Sequence, residues 1–201
     1  MSRSDTGTLA AAAAAVLLDA RRARRRIARL PEACRPSDAA AGYAVQAQLA
    51  AALGGIGGWK IGAGGPDETP LFAPIIAREI HSGGAVLSRA DFPDTIIEAE
   101  IAFRLRRDLP PGAVAHQAGE VAAAVEMLPA LEIYGSRFID PTVASEAENI
   151  ADCLANVGLV VGSAAGTAPF GERAWDIDLT IDGRSHSVRA ARHPVGDPLR
   201  L

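Results

Sequence analysis

Lysine is almost missing from this chain: the 20 Lys+Arg residues of its 201-residue sequence include a single lysine, Lys60. Arginine holds its proton in any protein environment, whereas a partly buried lysine can shift its pKa and act as an acid, a base or a compact donor. Scarcity alone assigns Lys60 no role. Cysteine is nearly as rare. Cys34 and Cys153 form no CxxC pair and no Cys/His spacing of the zinc type, which excludes a disulfide framework and a structural zinc and fits the cytoplasm. A surplus of positive charge is also lacking. A net charge of -4 and a pI near 5.6 argue against nucleic acid, whose phosphates need a basic surface, and favour a small-molecule partner. There is no internal repeat and no low-complexity linker. The length suits one large domain that buries about 70% of its unfolded surface.

The N-terminal stretch TLAAAAAAVLLDARRARRRIARL is apolar and then basic, in the manner of a signal peptide. Its alanine content, the leading Asp5 and an arginine run where a small-residue cleavage site would stand argue against that. The pattern predicts a helix from about Thr8 to Leu30, with Leu9, Val16, Leu17, Ile27 and Leu30 as its apolar stripe and the arginines on a solvated face. No other segment reaches the ~18 apolar residues of a membrane span. Ser37 is a candidate N-cap for a second helix through AAGYAVQAQLAAAL, stopped by Gly54 and Gly55. A short strand bracketed by glycines, GGWKIGAGG, then carries Lys60 to a place where backbone and ligand can approach closely.

The run TIIEAEIAFRL (95–105) reads as a buried strand interrupted by acids. Residues two apart on a strand share a face, so Glu98 and Glu100 lie side by side while Ile97, Ala99, Ile101 and Phe103 fill the other face. Two desolvated carboxylates repel unless a cation sits between them. A divalent metal meets that need; arginines on a neighbouring strand are the alternative. QAGEVAAAVEMLPALEIYGSRF reads as a helix that gives way near Pro129 to the strand ALEIY, whose Glu132 is a third acid among apolar neighbours, although a lone Glu is more often a paired surface acid. SEAENIADCLANVGLVVGS reads as a helical turn leading into a strand, with Asp152 and Asn156 at the changeover. AWDIDLTIDGRSHSVRA alternates about Asp182-Gly183, a strong hairpin signal. Irregular alternation of helices and short strands predicts an α+β fold with a largely antiparallel sheet system.

GWKIGA (58–63), IEAEIAF (97–103), LPALEIYGSR (128–137) and IADCLANVGLVVG (150–162) together resemble the fumarylacetoacetate hydrolase superfamily, in the branch of the 2-keto-4-pentenoate hydratases and 4-oxalocrotonate decarboxylases. With the AAGYAVQ helix and the HP of ARHPVGDP, these motifs follow the family's order over nearly the whole chain. The resemblance implies a β-roll like the C-terminal domain of that superfamily, with flanking helices, and a chain truncated at its C-terminus relative to the family. Residues 1–56 would be an N-terminal helical segment and 57–201 the catalytic β-rich domain, together one structural unit.

The resemblance further implies a Mg²⁺ or Mn²⁺ site at Glu98, Glu100 and Glu132, where hard oxygen ligands suit such an ion. Lys60 would lie beside a 2-oxo acid or dienoate substrate, and Asp152 would orient Lys60 or a water. The bland alternatives are an edge-strand lysine at 60 and a helix cap at 152. His81, His116, His186 and His193 are not at metal-ligand spacing and are assigned no role. The implied activity is hydration of a 2-hydroxy-2,4-dienoate from aromatic breakdown, with the decarboxylase reaction, or a catalytically impaired subunit or binder, as alternatives. A carbon–carbon hydrolase is disfavoured because no His-Glu pair stands in an N-terminal lid segment. Asp152-Cys153-Leu154-Ala155-Asn156 departs from the family's Asp-Asn-Ala-Ser-like run and lacks its hydroxyl. A homo-oligomer and a decarboxylase or hydratase partner enzyme complete the expectation, with neither nucleic acid nor membrane involved.

Overall fold

A computed structural model describes residues 3–112, 116–163 and 171–201. Helix α1 (Arg3–Arg22) is followed by α2 (Ala39–Ala52), β1 (Ile56–Gly62), β2 (Leu71–Ile76), β3 (Ile80–Ser82) and β4 (Ile96–Leu105). Then come α3 (Ala118–Ala124), β5 (Val125–Tyr134), α4 (Glu146–Ala151), β6 (Asn156–Val161), β7 (Ala174–Ile181) and β8 (Arg184–Arg192). β1 pairs with β2, β7 with β8, and a four-stranded sheet runs in the order β3-β6-β5-β4. The fold is α+β. Its β3/β6 pair is parallel and its β7/β8 pair antiparallel. No helix among the described residues is long and apolar enough to cross a membrane.

The chain forms two compact units, each assembled from separate stretches: Met1–Ile61, Leu71–Glu98 and Leu131–Val161 make the first, and Gly62–Pro70, Ala99–Ala130 and Gly162–Leu201 the second. β4 and β5 contribute to both.

In the first unit, α1 packs on α2, and α2 on α4. The buried stripe of α1 is Ala10, Ala13, Ala14, Leu17 and Ala20: the expected Leu17 is joined by alanines, while Leu9 and Val16 are only partly buried. Alanine is the strongest helix former, and at this spacing it gives a low-relief face against which the neighbouring helix can lie. α1 ends at Arg22, eight residues short of the expected Leu30. Arg24 turns left-handed at φ 50°, and the bonds Arg25 N–H to Ala20 O (3.0 Å) and Arg24 N–H to Arg21 O (3.1 Å) close a Schellman cap. The chain then runs on to Ile27, which bridges Phe138 in parallel. Leu30 still reaches the core, alongside Leu49, Phe138 and Cys153.

α2 is capped by Asp38, whose carboxylate accepts from Ala41 N–H at 2.9 Å, while the expected cap Ser37 donates to Asp38. Gly42 lets α2 approach α4, since a methyl group there would lie 2.6 Å from Ala147 O. Fully buried Glu148, in the capping box of α4, accepts from Leu30 N–H (3.1 Å), from Ser145 N–H (3.0 Å) and from Arg29.

In the second unit, Asp182 (φ 51°) and Gly183 (φ 76°) form the two-residue turn of the β7/β8 hairpin, the geometry that suits an Asp-Gly pair. Asp178 on β7 takes Arg189 and Ser187 of β8, which hold its carboxyl down to about 2. β5 begins at Val125, four residues before the expected Pro129, because alternation of the buried Val125, Met127 and the following residues carries it into the sheet. Pro129 has no N–H, and its carbonyl accepts from Gly162 N–H at 2.9 Å.

β4 corrects the expectation of a buried strand. It is the edge of the four-stranded sheet, so Ile96 and Ile97 stay 56% and 44% exposed. Alternation places side chains on faces; position within the sheet decides whether those faces are covered.

Candidate active site

The acids of β4 and β5 do converge. Ligand oxygens of Glu98, Glu100 and Glu132 lie within 4.8 Å of one another. Glu98 is half-buried, Glu100 exposed and Glu132 buried at 3% exposure. Adjacent strands stand about 4.8 Å apart, so an acid on β5 beside an E-x-E pair on β4 gives a three-carboxylate cluster on one face.

Lys60 on β1 meets Glu132 directly. Its Nζ donates to both carboxylate oxygens, at 2.6 and 2.8 Å, and to Leu154 O at 3.3 Å. An ammonium has three protons, and all three are engaged. Asn156, the first residue of β6, donates from Nδ2 to Glu132 Oε1 at 2.9 Å. Glu132 is thereby charge-balanced and hydrogen-bonded although almost fully buried, as a buried carboxylate must be.

Leu154 belongs to an unusual turn. Cys153, Leu154 and Ala155 have φ of 57°, 49° and 59°, three successive left-handed residues without a glycine. Each such residue costs about 1–2 kcal/mol, so the surroundings must hold the turn in place. Asp152 does this from behind: it accepts from Arg137 N–H at 2.9 Å, from Ser136 Oγ at 3.2 Å and from Arg137 Nε, while Arg137 Nη2 donates to the Asp152 carbonyl at 2.6 Å. The strained turn delivers the Leu154 carbonyl to Lys60 and the Asn156 amide to Glu132. Of the residues singled out from sequence, Glu98, Glu100, Glu132 and Lys60 come together. Asp152 is bonded to Arg137 and Ser136 instead of to Lys60, and it reaches the cluster only through the turn.

Asn156 and Tyr134 carry parts of this site that sequence reasoning did not assign. Asn156 stood at the helix-to-strand changeover with no role; a polar side chain opening an apolar strand was the available signal. Tyr134 lies two residues after Glu132, on the same strand face, with its ring centroid 5.8 Å from Lys60 Nζ. Burial, then the charges of Glu98, Asp152 and Glu132, push its hydroxyl pKa up, so the phenol stays protonated at neutral pH.

No family model matches the chain, and no curated protein matches it. Several solved structures are similar in shape, two of them as follows. One is 4-oxalocrotonate decarboxylase from Pseudomonas putida G7 complexed with magnesium and adipate, at 20% identity and a TM-score of 0.73, covering 100% of this chain and 78% of that one. The other is 4-oxalocrotonate decarboxylase from the same organism complexed with calcium and acetate, at 21% identity and a TM-score of 0.71 with the same coverage. This chain has the 4-oxalocrotonate decarboxylase fold. At this identity the likeness is one of fold.

Proposed function

We propose that the chain is a divalent-metal-dependent enzyme of the fumarylacetoacetate hydrolase type that adds water to a 2-hydroxy-2,4-dienoate, giving a 4-hydroxy-2-oxo acid. The observation that carries this reading is the convergence of Glu98, Glu100 and Glu132 with Lys60 bonded to Glu132. Three carboxylates within 4.8 Å of one another repel, and an all-oxygen donor set suits Mg²⁺ or Mn²⁺. When bound, such an ion supplies Lewis-acid polarisation of the 2-oxo acid end of the substrate.

The chain's own groups do the rest. Glu98, Glu100 and Glu132 would hold the ion, with Asn156 fixing the Glu132 carboxylate. Lys60 gives or takes the proton that interconverts the dienol and keto forms, exchanging one of its bonds to Glu132 or Leu154 O for the substrate. Tyr134, kept protonated by its surroundings, presents a neutral hydrogen-bond donor on the same face. The names of the two structural neighbours favour a second reading, decarboxylation of a related 2-oxo diacid, which uses the same chelate but releases CO₂.

The deciding experiment incubates the purified chain and Mg²⁺ with 2-hydroxypenta-2,4-dienoate and, separately, with 4-oxalocrotonate, and identifies products by NMR. Conversion of the dienoate to 4-hydroxy-2-oxopentanoate supports the hydratase. CO₂ release from 4-oxalocrotonate supports the second reading, and turnover of neither substrate contradicts both. In an active chain, Lys60→Arg should not restore turnover, since guanidinium keeps the charge but does not exchange its proton.

A further inference from the structure

Away from the glutamate cluster, the first unit has an open cavity of about 690 Å³ lined by the last turn of α1, the segment Arg78–His81, the loop 86–95 and the exit of β5 at Gly135–Arg137. None of Lys60, Glu98, Glu100 or Glu132 lines it. Its wall contains Arg21 and Arg137, and Arg21 Nε and Arg137 Nη1 are buried with no hydrogen-bond partner among the described residues. His81 Nε2, also on this wall, is in the same condition.

The two guanidinium groups are otherwise fixed. Arg21 Nη2 donates to Asn156 O at 3.0 Å. Arg137, only 5% exposed, spends Nε and Nη2 on Asp152, which leaves Nη1 as its spare donor. The acids on the wall are partly neutralised from within, since Arg24 pairs with Asp91 and Arg78 with Glu79; Asp94 completes the acidic lining. Arg21 is brought down to about 10, first by burial and then by the like charge of Arg137. A buried cationic donor without an acceptor is costly, and two that repel each other are more so.

We propose that this cavity binds a small oxyanion, a carboxylate or phosphate group, held between Arg21 Nε and Arg137 Nη1. The planar guanidinium fork matches the oxygens of either group, and the anion would supply the missing acceptor for both arginines and offset their repulsion. His81 Nε2 is placed as a third contact.

The test titrates the full chain in EDTA, at fixed ionic strength, with inorganic phosphate and separately with succinate, by calorimetry. Saturable single-site binding of at least one is expected, and the arm that saturates names the group. Arg21→Gln should weaken binding about tenfold or more, through loss of a charge-assisted hydrogen bond. Arg21→Lys, which keeps the charge and spares the helix, should also weaken it because it lacks the fork, and it carries the comparison if Arg21→Gln does not fold. Arg189→Gln, at an exposed arginine outside the cavity, should leave affinity unchanged. Absence of saturable binding in both arms overturns the proposal, as does binding that Arg21→Lys and Arg189→Gln weaken equally, which would mean diffuse attraction to surface arginines.

Discussion

Replacing Lys60 with methionine keeps the volume of the side chain and removes its charge. Glu132 would then be a carboxylate at 4% side-chain exposure with the Asn156 amide as its remaining partner in the Lys60–Glu132–Asn156 group. Removing one partner of a fully buried ion pair costs about 3–5 kcal/mol. The Lys60 side chain is 21% exposed, so water takes up part of the deficit, and Asn156 keeps one hydrogen bond in place; we expect about 2–3 kcal/mol after that discount. For a chain of this length that is a fall in Tm of about 5–10 °C in EDTA. In saturating Mg²⁺ the loss should be less than half as large, because an ion among Glu98, Glu100 and Glu132 supplies the charge that Lys60 no longer gives. By reciprocity, Lys60→Met should bind Mg²⁺ more tightly than the wild type. Thermal denaturation of both proteins with and without the ion measures all four corners of this cycle. An equal loss of Tm in EDTA and in Mg²⁺ would refute the idea that lysine and ion share one carboxylate.

Glu148 is subject to burial that pushes its carboxyl pKa up, but Arg29 and the N–H groups of Ser145 and Leu30 outweigh it and the net shift is down. A depressed carboxyl contributes stability that is present above its ordinary value and lost as pH falls through the folded value. Urea denaturation should therefore show the wild type weakening below pH 4.5. Glu148→Gln, already about 3 kcal/mol less stable at pH 7, should show a flatter acid limb, and parallel limbs would contradict this. Gly42→Ala should cost about 1–3 kcal/mol by forcing α2 away from α4, read by the same denaturation; an unchanged midpoint would mean that the helices part without strain.

The acids and the lysine of the site were legible because strand periodicity alone puts Glu98 beside Glu100, and because a charged residue amid Ile, Ala and Leu stands out. The hairpin was legible for a similar local reason: Asp182-Gly183 tolerates the left-handed turn that the strands require. What escaped was set by tertiary contacts. Arg24 ends α1 in a conformation usually taken by glycine, and ion pairing of Arg24 with Asp91 helps to hold the turn. The left-handed run Cys153–Ala155 has no glycine to announce it and depends on the buried Asp152–Arg137 pair. Exposure of Ile96 and Ile97 follows from the edge position of β4, which nothing within residues 95–105 encodes. Asn156 joins the site because β6 lies beside β5, a fact of topology, whereas Tyr134 follows Glu132 by two residues on one strand and was open to the same periodicity argument.

Everything proposed for the site depends on Glu98, Glu100 and Glu132 holding a divalent ion. Calorimetric titration of EDTA-treated wild type and Glu100→Gln with Mn²⁺ decides this; Glu100 is the exposed member of the cluster, and its substitution leaves the Lys60–Glu132 pair in place. We expect one saturable ion per wild-type chain and an affinity at least about 10-fold weaker in Glu100→Gln, no less than the loss on mutating an outer-shell partner. Equal affinities, or no saturable binding in the wild type, would contradict it.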